Sequence, residues 1–518
     1  MKKSLLFTGL LLAGISSSAL AQEAVDQAAV QKIRHEGLDN SKVMETAFYL
    51  TDASGPRLAG SPELRHAQDW AVNQLKSWGL SNVKLEPWGK FGKGWEVKKN
   101  YAAITVPYYH AIIAVPKAWS GSTNGLIKGD VMLIKADTNT DFNQYKGKLT
   151  GKIVIFDNAT SLKPDTTADF LRYTDQQLAE MANATAQPER PRTGAPNAMM
   201  AARRRIMAFR ASLNQFLVQE HVGLVLSQAR GTDGTVFTTN GNSYADTAKL
   251  AAPELETSGE DYNRIVRLLK HNVPVQMEAD VQTRFFTDDM QGYNVVAEIP
   301  GTDKKLKDQV VVIGGHFDSW HGATGATDNA AGSAVMMEAM RILKAINFKP
   351  KRTIRMVLWS SEEQGLLGSR GYVLNHYGSA KDGLKPEQQK VSAYYNLDNG
   401  TGKIRGVFMQ GNAAVAPIFK AWLEPFADLG ATTLTIRNTG STDHVSFDAV
   451  GIPGFQFIQD PMDYFARTHH SNQDTYDRLV EADLKQSATI VASFVYNTSQ
   501  RADMLPRKEQ PKPMAANQ

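Results

Sequence analysis

The sequence of 518 residues contains no cysteine. This absence excludes disulfide scaffolds, thiol catalysis and cysteine-ligated zinc or iron–sulfur sites, so any metal must be bound by His, Asp or Glu. A strong charge of one sign is also absent, because 57 Lys and Arg stand against 53 Asp and Glu, a net charge of +4. A balance this even does not favour nucleic acid or a membrane surface as a partner, and we expect neither.

The chain also lacks an apolar run long enough to span a bilayer, which needs about 18 residues or more. A shorter apolar stretch, from Leu5 to Ile15, follows two lysines and precedes the small-residue end Ala19-Leu20-Ala21. This order is typical of a secretory signal peptide. We therefore predict that residues 1–21 are cleaved, that the protein is exported to the periplasm or the medium, and that it has no membrane attachment afterwards.

The rest of the chain is longer than a single hydrophobic core usually supports, so we expect at least two domains. From residue 294 to 500, apolar strand patterns alternate with helical patterns, and the strand patterns cover 294–299, 309–313, 354–359, 393–397, 404–409 and 455–458. Such alternation predicts an α/β fold whose mixed, largely parallel sheet is covered by helices on both faces. An earlier amphipathic pattern, from Leu64 to Trp78, predicts a helix that packs on this sheet.

The middle of the chain has a different character. Strand patterns cover 99–115, 126–135, 152–156 and 223–227. Residues 158–200 are polar and rich in proline, which predicts an excursion with one short helix near 167–183. An amphipathic helix over 197–220 carries Arg203, Arg204, Arg205 and Arg210 on its polar side. These arginines could bind an anionic partner, but a solvated helix face is the simpler interpretation.

Residues able to bind a metal recur where predicted strands end. Six of the eleven histidines fall between His316 and His470, and acidic residues follow several strands in the same region. Residues beyond the carboxyl ends of the strands of an open α/β sheet converge on one crevice. The candidates are His316, Asp318, Asp328, Glu362, Glu363, Asp398 and His470.

Each candidate also has an ordinary structural explanation. A histidine after a strand is commonly structural, and Asp328 stands at the N-cap position of a predicted helix, where aspartate is preferred for its hydrogen bonds alone. Asp318 can accept the second imidazole N–H of His316, which would fix the tautomer of a metal-binding histidine. The adjacent Glu362 and Glu363 point to opposite sides if the backbone is extended, so that one can bind metal while the other faces water.

Together these motifs carry a family resemblance. His316, Asp328, Glu362-Glu363, Asp398 and the run His470-Ser471-Asn472-Gln473-Asp474 have the order and local contexts of the co-catalytic zinc exopeptidases. The sequence resembles this family, which includes bacterial leucyl aminopeptidases and glutamate carboxypeptidases. The run Gly-Gly-His-Phe-Asp-Ser-Trp at 314–320 and the 12-residue step from His316 to Asp328 are most similar to its plasma glutamate carboxypeptidase (carboxypeptidase Q) branch.

The resemblance implies a site with two zinc ions. His316 and Asp398 would bind one ion, Glu363 and His470 the other, and Asp328 would bridge them, with Glu362 as the catalytic base. His470 rather than His469 matches the family pattern, because Asp474 follows it by four residues. The family also implies a cis peptide after the bridging residue, between Asp328 and Asn329.

Elementary chemistry supports this assignment. Two histidines and three carboxylates form a hard nitrogen and oxygen site that suits zinc. Two metal ions about 3.5–4 Å apart can hold a hydroxide between them and polarise a scissile carbonyl. Glu362 would then take the proton of the water and deliver it to the leaving amine.

The resemblance also extends to domain organisation. It implies a catalytic domain over 22–117 and 286–500, an inserted domain similar to a protease-associated domain over 118–285, and a flexible tail over 501–518. In relatives the inserted domain helps to roof the active site or supports dimerisation, which leaves a homodimer open for this chain. His444, in the run Ser441-Thr442-Asp443-His444, would touch substrate or an oxyanion unless it is structural, and Tyr464 and His321 would line the substrate side.

The sequence thus predicts an exported zinc exopeptidase. It would hydrolyse the N-terminal bond of peptides or dipeptides with a metal-bridged hydroxide and Glu362 as general base. Three alternatives stay open: a strict dipeptidase of the carboxypeptidase Q type, a transferase similar to glutaminyl cyclase, which uses one zinc, and a non-catalytic binding protein.

Overall fold

The computed structural model describes residues 23–163, 166–186 and 195–508. The predicted signal peptide lies outside the described residues. Within the described part of the chain, no helix is both long and apolar enough to cross a bilayer.

The larger body is built on an eight-stranded mixed sheet. Four neighbouring strands at its centre run parallel to one another, while the strand on either side of this group pairs antiparallel. In order across the sheet, the strands are Ser81–Lys90, Gln291–Ile299, Thr353–Trp359, Val310–His316, Val391–Asn396, Gly454–Gln459, Ile404–Phe408 and Thr433–Thr435. All six strands predicted after residue 294 are present, and the mixed, largely parallel sheet is confirmed.

Helices cover both faces of this sheet because successive residues of the buried strands point in opposite directions. Val311 packs in the core beneath the helices Ala331–Ala345 and Glu481–Gln500, whereas its neighbour Val312 packs with Tyr372 and Phe447 on the other face. The remaining helices of this body are Gln27–Asp39, Val43–Leu50, Pro62–Ser77, Leu367–Tyr377, Ala416–Leu423 and His444–Asp448.

The predicted early helix extends over Pro62–Ser77. Ser61 caps it, since its hydroxyl accepts the backbone N–H of Leu64 at 3.1 Å, and proline occupies the first turn where its missing N–H costs nothing. Leu64 and Leu75 are buried in the same core as the central strands. The amphipathic pattern therefore identified both the helix and its buried face.

A second eight-stranded sheet has its own core. In order across this sheet, the strands are His110–Ala111, Gly94–Val106, Gln276–Phe286, Ile127–Ile134, Ile153–Phe156, Leu224–Gln228, Glu254–Thr257 and Ala114–Pro116. The helices Ala195–Gln219 and Gly259–Lys270 belong to the same body as this sheet.

The boundary of the second body differs from the predicted residue 118. The strands Gly94–Val106 and Ala114–Pro116, which we expected in the catalytic domain, belong to the second sheet. Gly94–Val106 pairs along its length with Gln276–Phe286, about 180 residues later in the chain. Local strand patterns do not reveal such a distant partner, which explains the difference. The likeness of this body to a protease-associated domain stays a prediction.

The polar excursion packs against the larger body. Its one predicted helix is Asp175–Ala182. Arg172 forms ion pairs with Asp460 at 2.9 Å and Asp483 at 2.7 Å, both in the larger body. In the helix that follows, Arg204, Arg205 and Arg210 are exposed, as a solvated face requires, and the side chain of Arg203 lies outside the described residues.

The prediction of a flexible tail from residue 501 is wrong for residues 501–508. Leu505 is buried in the main core, and Arg507 donates to the carbonyl oxygens of Gly451 at 2.7 Å and Val391 at 2.8 Å. Lys508 pairs with Asp448. The composition suggested a frayed tail, but Leu505, Arg507 and Lys508 all contact residues that are distant in sequence. Residues 509–518 lie outside the described part.

Candidate active site

The candidate residues meet at the carboxyl edge of the four central parallel strands. His316 ends the strand Val310–His316, while Glu362 and Glu363 follow Thr353–Trp359. Asp398 follows Val391–Asn396, and His470 lies in the loop after Gly454–Gln459. The convergence expected from the sheet is therefore observed.

His316 faces two carboxylates. Its Nε2 lies 3.1 Å from Oδ1 of Asp328 and 3.2 Å from Oδ1 of Asp398. Its Nδ1 lies 3.0 Å from the backbone carbonyl oxygen of Asp318, which can only accept, so Nδ1 carries the proton and Nε2 is directed at the carboxylates. Burial opposes a charge on this ring, but Asp398 and Glu362 outweigh it and raise the pKa of His316 well above the usual value.

His470 forms a second group of the same kind. Its Nε2 lies 2.7 Å from Oε2 of Glu363 and 3.4 Å from Oδ2 of Asp328. The two oxygens of the Asp328 carboxylate thus face two different histidines. This arrangement matches the pairing of His316 with Asp398 and of Glu363 with His470, and it places Asp328 between the pairs.

Asp328 is not a helix cap, contrary to the position predicted for it. It lies in the turn Ala326–Ala330, and the helix Ala331–Ala345 begins after it without a side-chain cap from Ala330. Asn329, whose peptide bond with Asp328 is cis as the resemblance implied, accepts the N–H of Gly332 instead. Nothing in the helix occupies the Asp328 carboxylate, which is free to face the histidines.

Asp474 fixes the backbone of the turn that carries Asp328. Its carboxylate oxygens accept the backbone N–H groups of Thr327 at 2.6 Å and of Asp328 at 3.0 Å. Burial and the nearby charge of Asp328 raise the pKa of Asp474 to about 7, although the two N–H groups favour its ionised form. The residue four positions after His470 therefore orients the carboxylate that His470 faces.

The role predicted for Asp318 is corrected. Its backbone carbonyl, not its carboxylate, accepts the N–H of His316, and its Oδ1 lies 3.8 Å from that nitrogen. The carboxylate instead accepts the backbone N–H groups of Glu362 at 3.1 Å and Glu363 at 3.4 Å. Asp318 therefore fixes the segment that carries the two glutamates. The sequence showed that Asp318 was close to His316 but not where its side chain pointed.

Glu362 and Glu363 face different neighbours, as predicted. Glu363 faces His470, while the charges that act most strongly on the pKa of Glu362 are those of His316, Asp398 and Asp443. Burial raises the pKa of Glu362 well above its usual value; His316 opposes this, and Asp398 and Asp443 add to it. With only 9% of its surface exposed, Glu362 is a carboxylate with a strong tendency to accept a proton.

The donor set fits two metal cations. Two groups of metal-binding side chains have ligand atoms within 4.8 Å of one another, and both groups contain Asp328: His316, Asp328 and Asp398 in one, and Asp328, His469 and His470 in the other. Oδ2 of Asp328 and Oε1 of Glu363 are buried, and among the described residues neither has a hydrogen-bond partner. Burying a carboxylate costs free energy unless a cation compensates its charge. Two histidines do not supply enough positive charge for the carboxylates of this cluster.

The adjacent histidines differ in their contacts. The rings of His469 and His470 stack with centroids 3.7 Å apart, and both lie near Asp328. Within the described chain, only His470 of the two has a ring nitrogen within 4.0 Å of Glu363. The geometry therefore favours His470 for the Glu363 group, as the sequence pattern did.

The predicted substrate-lining residues are less uniform. His444 is fully buried with Nε2 against Gln410 and the Thr439 carbonyl, and burial lowers its pKa to about 4, so its surroundings match the structural alternative. Tyr464 is buried beside Asp328; burial and the Asp328 charge raise its pKa well above the usual value. His321 is half-buried, and its Nε2 contacts the carbonyl oxygen of Pro116 at 2.6 Å.

Sequence reasoning missed three residues around the site. Arg57 is fully buried and donates to the carbonyl oxygens of Phe317 at 2.7 Å and Gly325 at 2.8 Å, on both sides of the loop that leads to Asp328. No local pattern distinguishes this arginine. The two carboxylate oxygens of Asp443 are buried without a hydrogen-bond partner in the described part, and burial raises the pKa of this group to about 7; Asp443 stood beside His444 in the sequence. Trp320 contacts Glu363.

Comparisons with known proteins agree with this geometry. Residues 294–495 match the family model described as Peptidase family M28. Carboxypeptidase Q of Bos taurus is 28% identical over 91% of this chain and 88% of its own length, and that of Homo sapiens is 25% identical over 96% and 97%.

Solved structures share the fold. The Peptidase M28 precursor from Shewanella amazonensis has a TM-score of 0.64 and 25% identity, covering 93% of this chain and 99% of that one. The zinc aminopeptidase BSAP from Bacillus subtilis has a TM-score of 0.55 and 19% identity, covering 90% and 97%. The matched segment 294–495 carries every predicted metal-binding residue, so this part of the chain is similar to peptidase family M28, and the protein is a metallopeptidase.

Proposed function

We propose that this protein is an exopeptidase that uses two zinc ions to hydrolyse the N-terminal bond of peptides or dipeptides. The observation that carries the proposal is the carboxylate of Asp328, whose oxygens face His316 at 3.1 Å and His470 at 3.4 Å. A carboxylate shared by two such groups is what a site for two adjacent cations requires.

The side chains divide into two sets of ligands. His316 and Asp398 would hold one ion, Glu363 and His470 would hold the other, and Asp328 would contact both. Imidazole nitrogens and carboxylate oxygens suit zinc, and the absence of cysteine leaves no competing thiolate. When bound, the ions supply Lewis-acid polarisation of the scissile carbonyl and make water easier to deprotonate.

Glu362 is the proposed proton shuttle. It is buried beside other carboxylates, which raises its pKa and favours uptake of a proton. Its carboxylate would accept the proton of the attacking water and pass it to the nitrogen of the departing amine. The hydrogen bonds from the backbone of Glu362 and Glu363 to Asp318 keep this carboxylate in place while the proton moves.

The direct test compares Leu-Gly-Gly with N-acetyl-Leu-Gly-Gly, incubated with the zinc-loaded mature protein and analysed by mass spectrometry. Release of leucine from the unblocked peptide alone is the expected result, because an exopeptidase of this kind must recognise a free amine. Equal cleavage of both peptides, or cleavage at an internal bond of a longer peptide, would contradict the proposal.

A strict dipeptidase of the carboxypeptidase Q type is the second candidate. The extent of similarity favours it, since the carboxypeptidase Q sequences from Bos taurus and Homo sapiens align with 91% and 96% of this chain. Hydrolysis of Leu-Gly without hydrolysis of Leu-Gly-Gly would select this candidate over the aminopeptidase. Cyclisation of an N-terminal glutamine by a protein with one zinc would select the cyclase alternative instead.

Export and dimerisation are part of the same proposal. The leader sequence supports export, which N-terminal sequencing of the protein recovered from periplasm and medium would test by locating cleavage after Ala21. The resemblance supports a homodimer, for which light scattering during size-exclusion chromatography would give the mass.

A further inference from the structure

We infer that the segment 232–238 of the second body is a positioning element for His470, so that the zinc site of Glu363 and His470 is complete only while this segment is docked. The inference rests on the proposed two-zinc site. The segment lies between the strands Leu224–Gln228 and Glu254–Thr257 of the second sheet, and it has no candidate metal ligand of its own at the centre.

His470 has a backbone conformation that needs support. Its φ of +59° lies in the left-handed region, which residues with a Cβ adopt rarely and keep only when the surroundings hold them there. The side chain is partly exposed, at 28%, so burial alone does not hold it. The position of its Nε2 at 2.7 Å from Glu363 therefore depends on what fixes the main chain.

Thr238 provides the most direct support. Its backbone N–H donates to the carbonyl oxygen of His470 at 2.7 Å, and its hydroxyl donates to the same oxygen at 3.0 Å. Thr238 is itself only 3% exposed, and its methyl group packs near Gly322, in the loop that carries Trp320. Two donors on one carbonyl restrict the rotation of the peptide that follows His470.

The residues after His470 continue this contact. Ser471 pairs with Phe237 in an isolated antiparallel bridge, and the Asn472 backbone N–H donates to the carbonyl of Val236 at 3.1 Å. The Asn472 side chain closes the pair, because its Oδ1 accepts the N–H of Val236 at 2.7 Å and its Nδ2 donates to the carbonyl of Gly234 at 3.1 Å. The loop 470–472 is therefore paired to the segment almost as a strand is paired within a sheet.

Arg467, which precedes His470 by three residues, also binds the segment 232–238. Its guanidinium donates to the carbonyl of Thr232 at 2.9 Å and to the hydroxyl of Thr235 at 3.0 Å, and it forms ion pairs with Asp233 and Asp169 at 2.6 Å each. Contacts on both sides of His470 thus come from the second body. His316 differs, because its main chain belongs to a central strand of the large sheet.

This asymmetry predicts that the two zinc sites respond differently to damage in the segment. The His316 site should persist, whereas the His470 site should weaken, since partners that orient a metal-binding histidine typically change metal affinity by about 10–100-fold. The second body would then act on catalysis without contributing a ligand.

The test is a zinc titration of the metal-free, full-length mature protein carrying Thr238→Val and Asn472→Ala together. Thr239→Val is the matched control, because its hydroxyl contacts Glu256 instead of the His470 loop. Thr238→Ser is the conservative variant and retains both donors. Isothermal titration gives the two dissociation constants, His470→Ala and His316→Ala identify which constant belongs to which site, and thermal melting reports folding.

In the double variant we expect zinc affinity at the His470 site to weaken by about tenfold or more. The dissociation constant of the His316 site should stay within about twofold of the wild-type value. Thr239→Val and Thr238→Ser should match wild type. Unchanged constants in a folded double variant, or equal weakening of both sites, would overturn the inference. If the double variant no longer melts cooperatively, the zinc dissociation constants of Thr238→Val and Thr238→Ser are compared instead. Wild type that binds fewer than two zinc ions would overturn the proposed two-zinc site as well.

Discussion

The indole nitrogen of Trp320 lies 2.8 Å from Oε2 of Glu363, the same oxygen that faces Nε2 of His470 at 2.7 Å. The indole can only donate, so it orders the carboxylate without competing as a ligand. The ring centroids of Trp320 and His470 also lie 5.7 Å apart. Trp320 thus orients both residues of one proposed zinc site from outside it.

Replacing this donor should weaken zinc binding selectively. Trp320→Phe keeps an aromatic ring but removes the N–H, so we expect about a tenfold loss of affinity at the Glu363 and His470 site, with the His316 site unchanged. Competition with a chromophoric chelator measures both constants. Equal affinities in the variant and the wild type would show that the indole only fills space.

Glu362→Gln should separate chemistry from metal binding. The amide has the shape of the carboxylate but cannot accept a proton, so turnover of Leu-Gly-Gly should fall by at least about 100-fold. Zinc content, measured by plasma mass spectrometry, should stay at the wild-type value. Near-normal turnover in the variant would show that another group is the base.

Arg57 should contribute to stability more than its position in a short loop suggests. It is fully buried and donates to the carbonyl oxygens of Leu50, Phe317, Thr324 and Gly325. Arg57→Met removes all four of these hydrogen bonds from a buried site, so we expect a loss of about 3 kcal/mol or more in the free energy of unfolding, measured in urea.

The control for Arg57 is Arg65→Met. The Arg65 side chain is 52% exposed in an ion pair with Asp69, and such surface pairs contribute about 0.5 kcal/mol or less. A loss at Arg57 no larger than at Arg65 would refute the role of Arg57.

The ion pair of Glu86 and His376 should make stability depend on acid pH. Burial raises the pKa of Glu86, but the hydrogen bonds of His376 and Lys84 outweigh it and lower the pKa to about 2. A pKa below the value in the unfolded chain, near 4.3, means that the ionised Glu86 stabilises the fold above that pH, and that this stabilisation disappears as pH falls toward about 2.

Glu86→Gln measures this contribution. After allowance for solvent screening of a partly exposed pair, wild type should exceed the variant by about 1–2 kcal/mol in the free energy of unfolding at pH 6. The difference should shrink between pH 4.5 and pH 3. A difference that stays constant with pH would show that the pair is not electrostatic in origin.

Much of the site was predictable because it depends on local sequence. A buried apolar strand followed by a candidate site residue is visible at His316, at Glu362-Glu363 and at Asp398, and the sheet then brings these residues together. The pattern of His470 followed by Asp474 added the last strand end. Their proximity is confirmed, while their roles as ligands and base stay predictions.

The rest depended on contacts between distant segments. The direction of the Asp318 carboxylate, the burial of Arg57 and the docking of Thr238 on His470 each join residues far apart in sequence or on different bodies. The strand Gly94–Val106 was assigned to the wrong body for the same reason. Local periodicity reports which face of an element is buried, but not which partner buries it.

The most direct test of the two-zinc site is an anomalous difference map from crystals of the zinc-loaded protein, recorded at the zinc absorption edge. We predict two peaks about 3.5–4 Å apart, one beside His316 and Asp398, the other beside Glu363 and His470, with the Asp328 carboxylate between them. A single peak, or a second peak that does not contact Asp328, would contradict the account.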